Sequence, residues 1–270
     1  MKVDDIRLSR ESEFFDKFYA DESSTFDMAV ADRYRKFSAR RLYSQEYRIA
    51  ALGELHGRSV VDVGCGTGTN SVLLALLGAN VTGIDVSNVA IARAKSMAKS
   101  AGVENQTDFR VEPFERFSKD GTGFDVVWIE AFLHHMLPVF DDAIGALVAL
   151  AKPNGIVVIS EPIRLSATVR ALRKLFPANT DATPDERPLE RAEIDILHKH
   201  LVFEEMQYFD GLSRLSSLFM RDHSYEHATP FRQAAADVLR RIDAQILKIP
   251  FLGPMLAGGI VIVGRRASRE

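Results

Sequence analysis

Asp62, Gly64, Gly66, Gly68 and Asp85 are the residues whose types and spacing suit chemistry. Three glycines at alternate positions follow the run Val60-Val61-Asp62-Val63 and precede an apolar stretch, Ser71 to Leu77. Glycine reaches backbone angles closed to other residues and lets a ligand approach the main chain. The helix that follows offers free N–H groups at its start. A second run, Asn80 to Ile84, ends in Asp85. An acid at a strand tip can accept hydrogen bonds from ribose hydroxyls. Strand, glycine turn, helix, strand, acid is the layout of a nucleoside-binding α/β half. The dinucleotide fingerprint G-x-G-x-x-G fails here, because Thr69 stands where its third glycine belongs. Asp62, two residues before the first glycine, would sit badly beside a pyrophosphate and well beside an ammonium.

The segment Val61-Asp62-Val63-Gly64-Cys65-Gly66-Thr67-Gly68 resembles motif I of the class I S-adenosylmethionine-dependent methyltransferases, V-D-x-G-C-G-x-G, including the upstream acid and the cysteine. Gly83-Ile84-Asp85-Val86-Ser87 resembles the second motif, and Phe124 to Trp128 the fourth-strand motif. Lys152-Pro153-Asn154-Gly155 resembles the L-K-P-G-G turn, with Asn154 in place of the first glycine. The resemblance is strong over residues 45–162 and weak elsewhere. It implies S-adenosyl-L-methionine as cofactor, with Gly64, Cys65, Gly66 and Gly68 passing beneath it. Asp62 would face the methionyl ammonium, Asp85 the ribose, and Val86 an adenine face. Many relatives read adenine with an Asp after strand three. Pro113 holds that slot here, so Glu112 or the N–H of Phe114 is the expected reader. Glu130, at the tip of the fourth strand, completes the expected cofactor set.

The acceptor side begins at Trp128-Ile129-Glu130-Ala131-Phe132-Leu133-His134-His135-Met136. Methylases of nucleic-acid bases carry [DNS]-P-P-[YFW] at this place, which this chain lacks. The Leu-His-His wording resembles the small-metabolite branch, including ubiquinone- and sterol-type enzymes. In-line methyl displacement needs positioning rather than a protein nucleophile, and positioning can supply roughly 7–11 kcal/mol of the barrier. His134 is the candidate general base, since imidazole titrates near neutral pH; a packing or capping role is the rival reading. His135, with Tyr19 and Tyr34 from the N-terminal segment, is expected to contact the acceptor. A related quinone branch holds a divalent metal with Glu-x-x-Glu-His. Leu133 replaces the second Glu, so no metal is expected.

These residues need a scaffold. Strands are expected near 58–63, 80–85, 107–112, 124–129 and 154–160, with helices near 69–77, 88–101 and 140–151. That alternation requires a doubly wound, mostly parallel sheet. The resemblance implies seven strands in a Rossmann-like fold, the last one antiparallel. Residues 1–50 read as a helical lid, with helices over 11–20 and 32–49. Residues 51–270 read as the main domain, with an acceptor-side insertion around 164–250. Within the insertion, helices are expected at 166–175, 189–200, 212–221 and 231–248, an exposed loop at 178–188 and a strand at 203–209; 258–264 reads as the last strand.

Net charge is −3 with a pI near 6.2, which argues against a nucleic-acid surface. No apolar run approaches the roughly 20 residues of a membrane span. The N-terminus lacks a signal core, so a cytoplasmic location is expected. A lone cysteine, Cys65, excludes an internal disulfide framework. The leading expectation is methyl transfer to O, N, S or C of a small metabolite, by a monomer or homodimer. Methylation of protein side chains, or a regulatory module that binds the cofactor without transfer, are the alternatives. Asp62 and the missing third glycine disfavour an NAD-dependent oxidoreductase.

Overall fold

The central strands are buried on both faces. In the computed structural model, which describes residues 5–35, 41–121, 123–166, 187–220 and 224–266, a central sheet divides two apolar cores. Strands β1 (Ser59–Val63), β4 (Phe124–Glu130) and β5 (Ala151–Pro162) point alternate residues to opposite faces, as the strand period requires. Val61, Val63, Val127, Ile129, Val157 and Ile159 join one core, and Val60, Val126, Trp128 and Val158 join the other. Both faces are covered, so these strands read as continuous β-branched runs.

The remaining strands are β2 (Asn80–Asp85), β3 (Thr107–Val111), β6 (Leu201–Phe209) and β7 (Gly259–Arg266). Their order is β3-β2-β1-β4-β5-β7-β6. All neighbours are parallel except β7, which runs antiparallel between β5 and β6. The doubly wound, seven-stranded expectation is met. Strand order reverses between β1 and β4, and ligands of such sheets bind outside the carboxyl ends at that point.

The helices are α1 (Asp5–Phe18), α2 (Met28–Arg35), α3 (Ser44–Leu52), α4 (Thr69–Leu76), α5 (Asn88–Ala101), α6 (Phe114–Asp120), α7 (Phe140–Leu150), α8 (Arg191–His200), α9 (Ser217–Met220), α10 (Pro230–Ile246) and α11 (Leu252–Leu256). Ser87 caps α5 by accepting from the Ala90 N–H at 3.0 Å. Asn154 has φ of 65°, so the asparagine does the conformational work of the glycine it replaces.

Three expectations are corrected. The single helix over 32–49 is two helices, α2 and α3. The Glu46 carboxylate accepts from the Leu42 and Tyr43 N–H groups at 3.0 and 3.3 Å, which starts α3 afresh. The helix over 212–221 is a 3₁₀ turn, Leu212–Ser216, followed by α9. Asp243 of α10 accepts from the Gly211, Leu212 and Ser213 N–H groups there, a tertiary cap invisible in local sequence. Short α6, after Pro113, was not expected as a helix. The helix expected at 166–175 and most of the loop at 178–188 lie outside the described residues. No described helix is long and apolar enough to cross a membrane.

Candidate functional site

The β1–α4 turn is built on close approach. Gly66 has φ of 52°, and a Cβ there would lie 2.8 Å from the Tyr19 hydroxyl. Gly68 has φ of 82°, and its Cβ would lie 2.7 Å from Ala94 Cβ of α5 and 3.1 Å from Ala94 Cα. Gly66 therefore lets Tyr19 close onto the turn, whereas Gly68 permits packing of the turn on α5. Cys65 immediately precedes Gly66, and its N–H donates to the Ile84 carbonyl at 2.9 Å. Desolvation, then the Asp62 and Asp85 charges, push its thiol well up. It stays protonated at neutral pH and is a poor nucleophile.

Two acids flank the turn. Asp85 Oδ2 accepts from the Gly66 N–H, and Oδ1 from the Ser87 N–H, both at 2.9 Å. A carboxylate has about four lone-pair sites, so acceptor capacity remains for two hydroxyl donors. Desolvation raises its pKa, against the pull of those N–H groups. Asp62 is 2% exposed and accepts from Ser71 Oγ at 2.6 Å. Among the described residues it has no ion-pair partner. Desolvation first, and the Glu130 charge next among the raising causes, push it up to about 7, with Ser71 opposing. A buried acid held that high is matched to a cation that arrives later.

Helix α1 lies across the carboxyl end of the sheet. Ser12 Oγ donates to the Val86 carbonyl at 3.0 Å. Asp16 Oδ1 accepts from Ser87 Oγ at 2.5 Å and from the Val89 N–H at 3.2 Å. Thr67 Oγ1 donates to Glu22 at 3.1 Å, and Arg93 donates to the Ala20 and Glu22 carbonyls. Arg7 pairs with Glu115 at the start of α6. Beneath this strap is a cleft. Gly64, Asp85, Val86, Glu112, Phe114 and His135 line it, with Phe15 and Tyr19 above. Burial, then nearby Asp85, raises the Tyr19 pKa, so its hydroxyl remains a donor.

Glu130 is not in that wall. It shares a face of β4 with Trp128, toward α3 and α4. Arg48, 2% exposed, pairs with it at 2.6–2.7 Å and lies over the Trp128 ring at 4.7 Å. Asn70 donates to it at 2.6 Å, Gln45 to Asn70 at 3.1 Å, and Tyr34 to Gln45 at 3.2 Å. Tyr34 is thus a core residue, 5% exposed, and the structure does not bring it to the cleft. Desolvation pushes its phenol up to about 12. The acceptor-contact expectation for Tyr34 is corrected: its polar tip serves a buried chain of hydrogen bonds.

His134 also turns from the cleft. Its Nδ1 meets Glu161 Oε2 at 2.9 Å. Glu161, at the end of β5, is fully buried at its side chain, and Oε1 accepts from the Phe132 and Leu133 N–H groups at 2.8 and 2.7 Å. Sequence reasoning missed Glu161. The only local signal was a carboxylate following a β-branched strand. His135 instead faces the cleft, with Phe15 against its ring at 5.4 Å. Among the described residues no three His, Cys, Asp or Glu side chains stand as a metal cluster.

Residues 55–210 match a family model described as a methyltransferase domain, more than half of the chain. The chain belongs to this methyltransferase family. It is 38% identical over 109 residues to a ubiquinone biosynthesis O-methyltransferase of Bordetella bronchiseptica, covering 40% of this chain and 44% of that one. It is 36% identical over 172 residues to the protein of that name from Cronobacter sakazakii, covering 56% and 70%. The chain spans under half the length of the first of these relatives. The magnesium protoporphyrin IX methyltransferase of Synechocystis PCC 6803, solved with bound SAH, shares the fold. Its TM-score is 0.52 at 16% identity, over 97% of this chain and 100% of that one.

Proposed function

We propose that this protein transfers the methyl group of S-adenosylmethionine to a small metabolite. The observation that carries this reading is the paired-acid turn: buried Asp62, without an ion-pair partner among the described residues, and strand-tip Asp85 on either side of a glycine loop. Family membership and the curated relatives named above support it. The residues fit the cofactor's chemistry. Asp62 suits the ammonium, Asp85 the ribose hydroxyls, and the cleft beside Val86, Glu112 and Phe114 the adenine. Tyr19, over Gly66, is better placed to donate to the cofactor's methionyl end than to reach an acceptor. When bound, the sulfonium supplies an electrophilic methyl. The chain's own part is to orient donor and acceptor and exclude water beneath α1. The packing or capping role for His134 fits its tie to Glu161. Helix α1 acts as a lid over this site.

Three measurements test the reading. Titration with S-adenosylhomocysteine and, separately, NAD comes first. The former at 100 times its dissociation constant adds about 2.7 kcal/mol of stability; stabilisation by NAD alone points to an oxidoreductase. Asp85→Ala weakens S-adenosylhomocysteine by about 1.5–3 kcal/mol, the range for hydrogen bonds to a charged group. Unchanged affinity in calorimetry removes Asp85 from the site.

The third measurement uses Asp62. Its pKa is raised on folding, so between about pH 4 and 7 the folded state holds a proton the unfolded state has lost. The contribution of this group to stability therefore falls as pH rises through that window. A bound ammonium favours the carboxylate and reverses the shift. Cofactor binding near pH 6 accordingly releases a proton, seen in calorimetry as a heat that depends on the buffer's ionisation enthalpy. The release vanishes well above pH 7 and in Asp62→Asn. Proton uptake, or release retained in that variant, rejects the assignment of Asp62.

A further inference from the structure

A second open cavity lies at the carboxyl ends of β4 and β5 and the start of β7. It and the α1-covered cleft share one wall residue, Ala131. Ala131 has φ of 51° and Asp210, also in the wall, 60°; only one other described non-glycine residue has positive φ. Such backbone strain concentrates where a chain shapes a site.

The charges of this wall are unevenly matched. Glu130 is held by Arg48 and Asn70. Glu161 already accepts from two backbone N–H groups and meets His134. Asp210 pairs with Arg240 at 2.8 Å. Arg214 is different: among the described residues its guanidinium has neither an ion-pair nor a hydrogen-bond partner. It nevertheless has a fixed seat. It occupies the space that a Cβ on Gly258 would fill. Gly258 is itself pinned, donating to the Phe209 carbonyl and accepting from the Ile163 N–H, both at 3.0 Å. A planar fork of donors thus rests on a rigid backbone at a cavity whose carboxylates are satisfied. A guanidinium presents donors in the geometry that a carboxylate accepts two at a time, and it gives up water more readily than an ammonium does.

We propose that this cavity is the acceptor subsite and that Arg214 selects acceptors carrying a carboxylate. The proposal rests on the methyl-transfer reading for the word acceptor, but its test does not require turnover. Protein loaded with S-adenosylhomocysteine is titrated with 4-hydroxybenzoate and with neutral 4-hydroxybenzamide, followed by ligand-observed NMR. The benzoate binds more tightly than the amide. Arg214→Gln weakens the benzoate about tenfold or more, the loss of a charge-assisted hydrogen bond of about 1.5 kcal/mol. It leaves the amide and S-adenosylhomocysteine unchanged, and an unaltered melting temperature shows that the variant folds. Gly258→Ala, which pushes the guanidinium from its seat, weakens the benzoate likewise. Equal benzoate binding in wild type and Arg214→Gln, a preference for the amide, or no benzoate binding overturns the proposal. Failure of S-adenosylhomocysteine to bind instead strikes the methyl-transfer reading; the benzoate titration of the unloaded protein then still reports on Arg214.

Discussion

Gly66→Val abolishes S-adenosylhomocysteine binding. Two independent effects of the substitution act together. A branched side chain resists φ of 52°, where glycine is at ease. Its Cβ would also enter the space between the turn and the Tyr19 hydroxyl, 2.8 Å away, which the cofactor's methionyl end needs. The variant folds, because Gly66 lies on a turn and carries no core contact of its own. Calorimetry with S-adenosylhomocysteine, paired with a thermal melt, checks both halves. Normal affinity in a folded Gly66→Val protein would show that this turn is not the cofactor loop. The contrast is Gly68, where a Cβ meets the Ala94 backbone and the damage falls on folding instead.

Glu161→Ala costs about 2–6 kcal/mol of folding stability, because it strands the Phe132 and Leu133 N–H groups at ~1–3 kcal/mol each. Chemical denaturation measures it. Glu161→Gln retains an acceptor oxygen and loses much less. His134→Ala, which removes a partner that is itself partly exposed, also loses less than Glu161→Ala. If all three variants lie within about 1 kcal/mol of wild type, water replaces the carboxylate and Glu161 is not the anchor of the loop after β4.

The cofactor half was legible in sequence for physical reasons. The β1 turn and the tip of β2 are local: glycines at fixed spacing, a β-branched run and a strand-end acid lie within 24 residues, Asp62 to Asp85. Every strand expected there appears within a few residues of its place. The acceptor half was less legible because its determinants are contacts between distant segments. Arg48 reaches Glu130 across 82 positions, and Glu161 reaches back 27 to His134. Tyr34 shows the same limit in reverse. Its hydroxyl looked like a site group, and only the fold reveals Gln45 as its partner and Ala31 and Ile49 as fellow members of its core. The strap residue Tyr19 stands over Gly66, a contact that no local pattern foretells.

The place of β7 bears on how the chain acquires function during synthesis. This strand is among the last described residues to be made, yet it lies inside the sheet, joining β5 to β6. Until it emerges from the ribosome, β6 has no partner and β5 has a bare edge, a state that invites aggregation. Residues 258–261 also form part of the Arg214 cavity. The glycine turn and Asp85 are made about 170 residues earlier. The β1–α4 turn would therefore be in place well before the second cavity is complete. Insertion of β7 between β5 and β6 is therefore the step that completes the second cavity, after the glycine turn has been made.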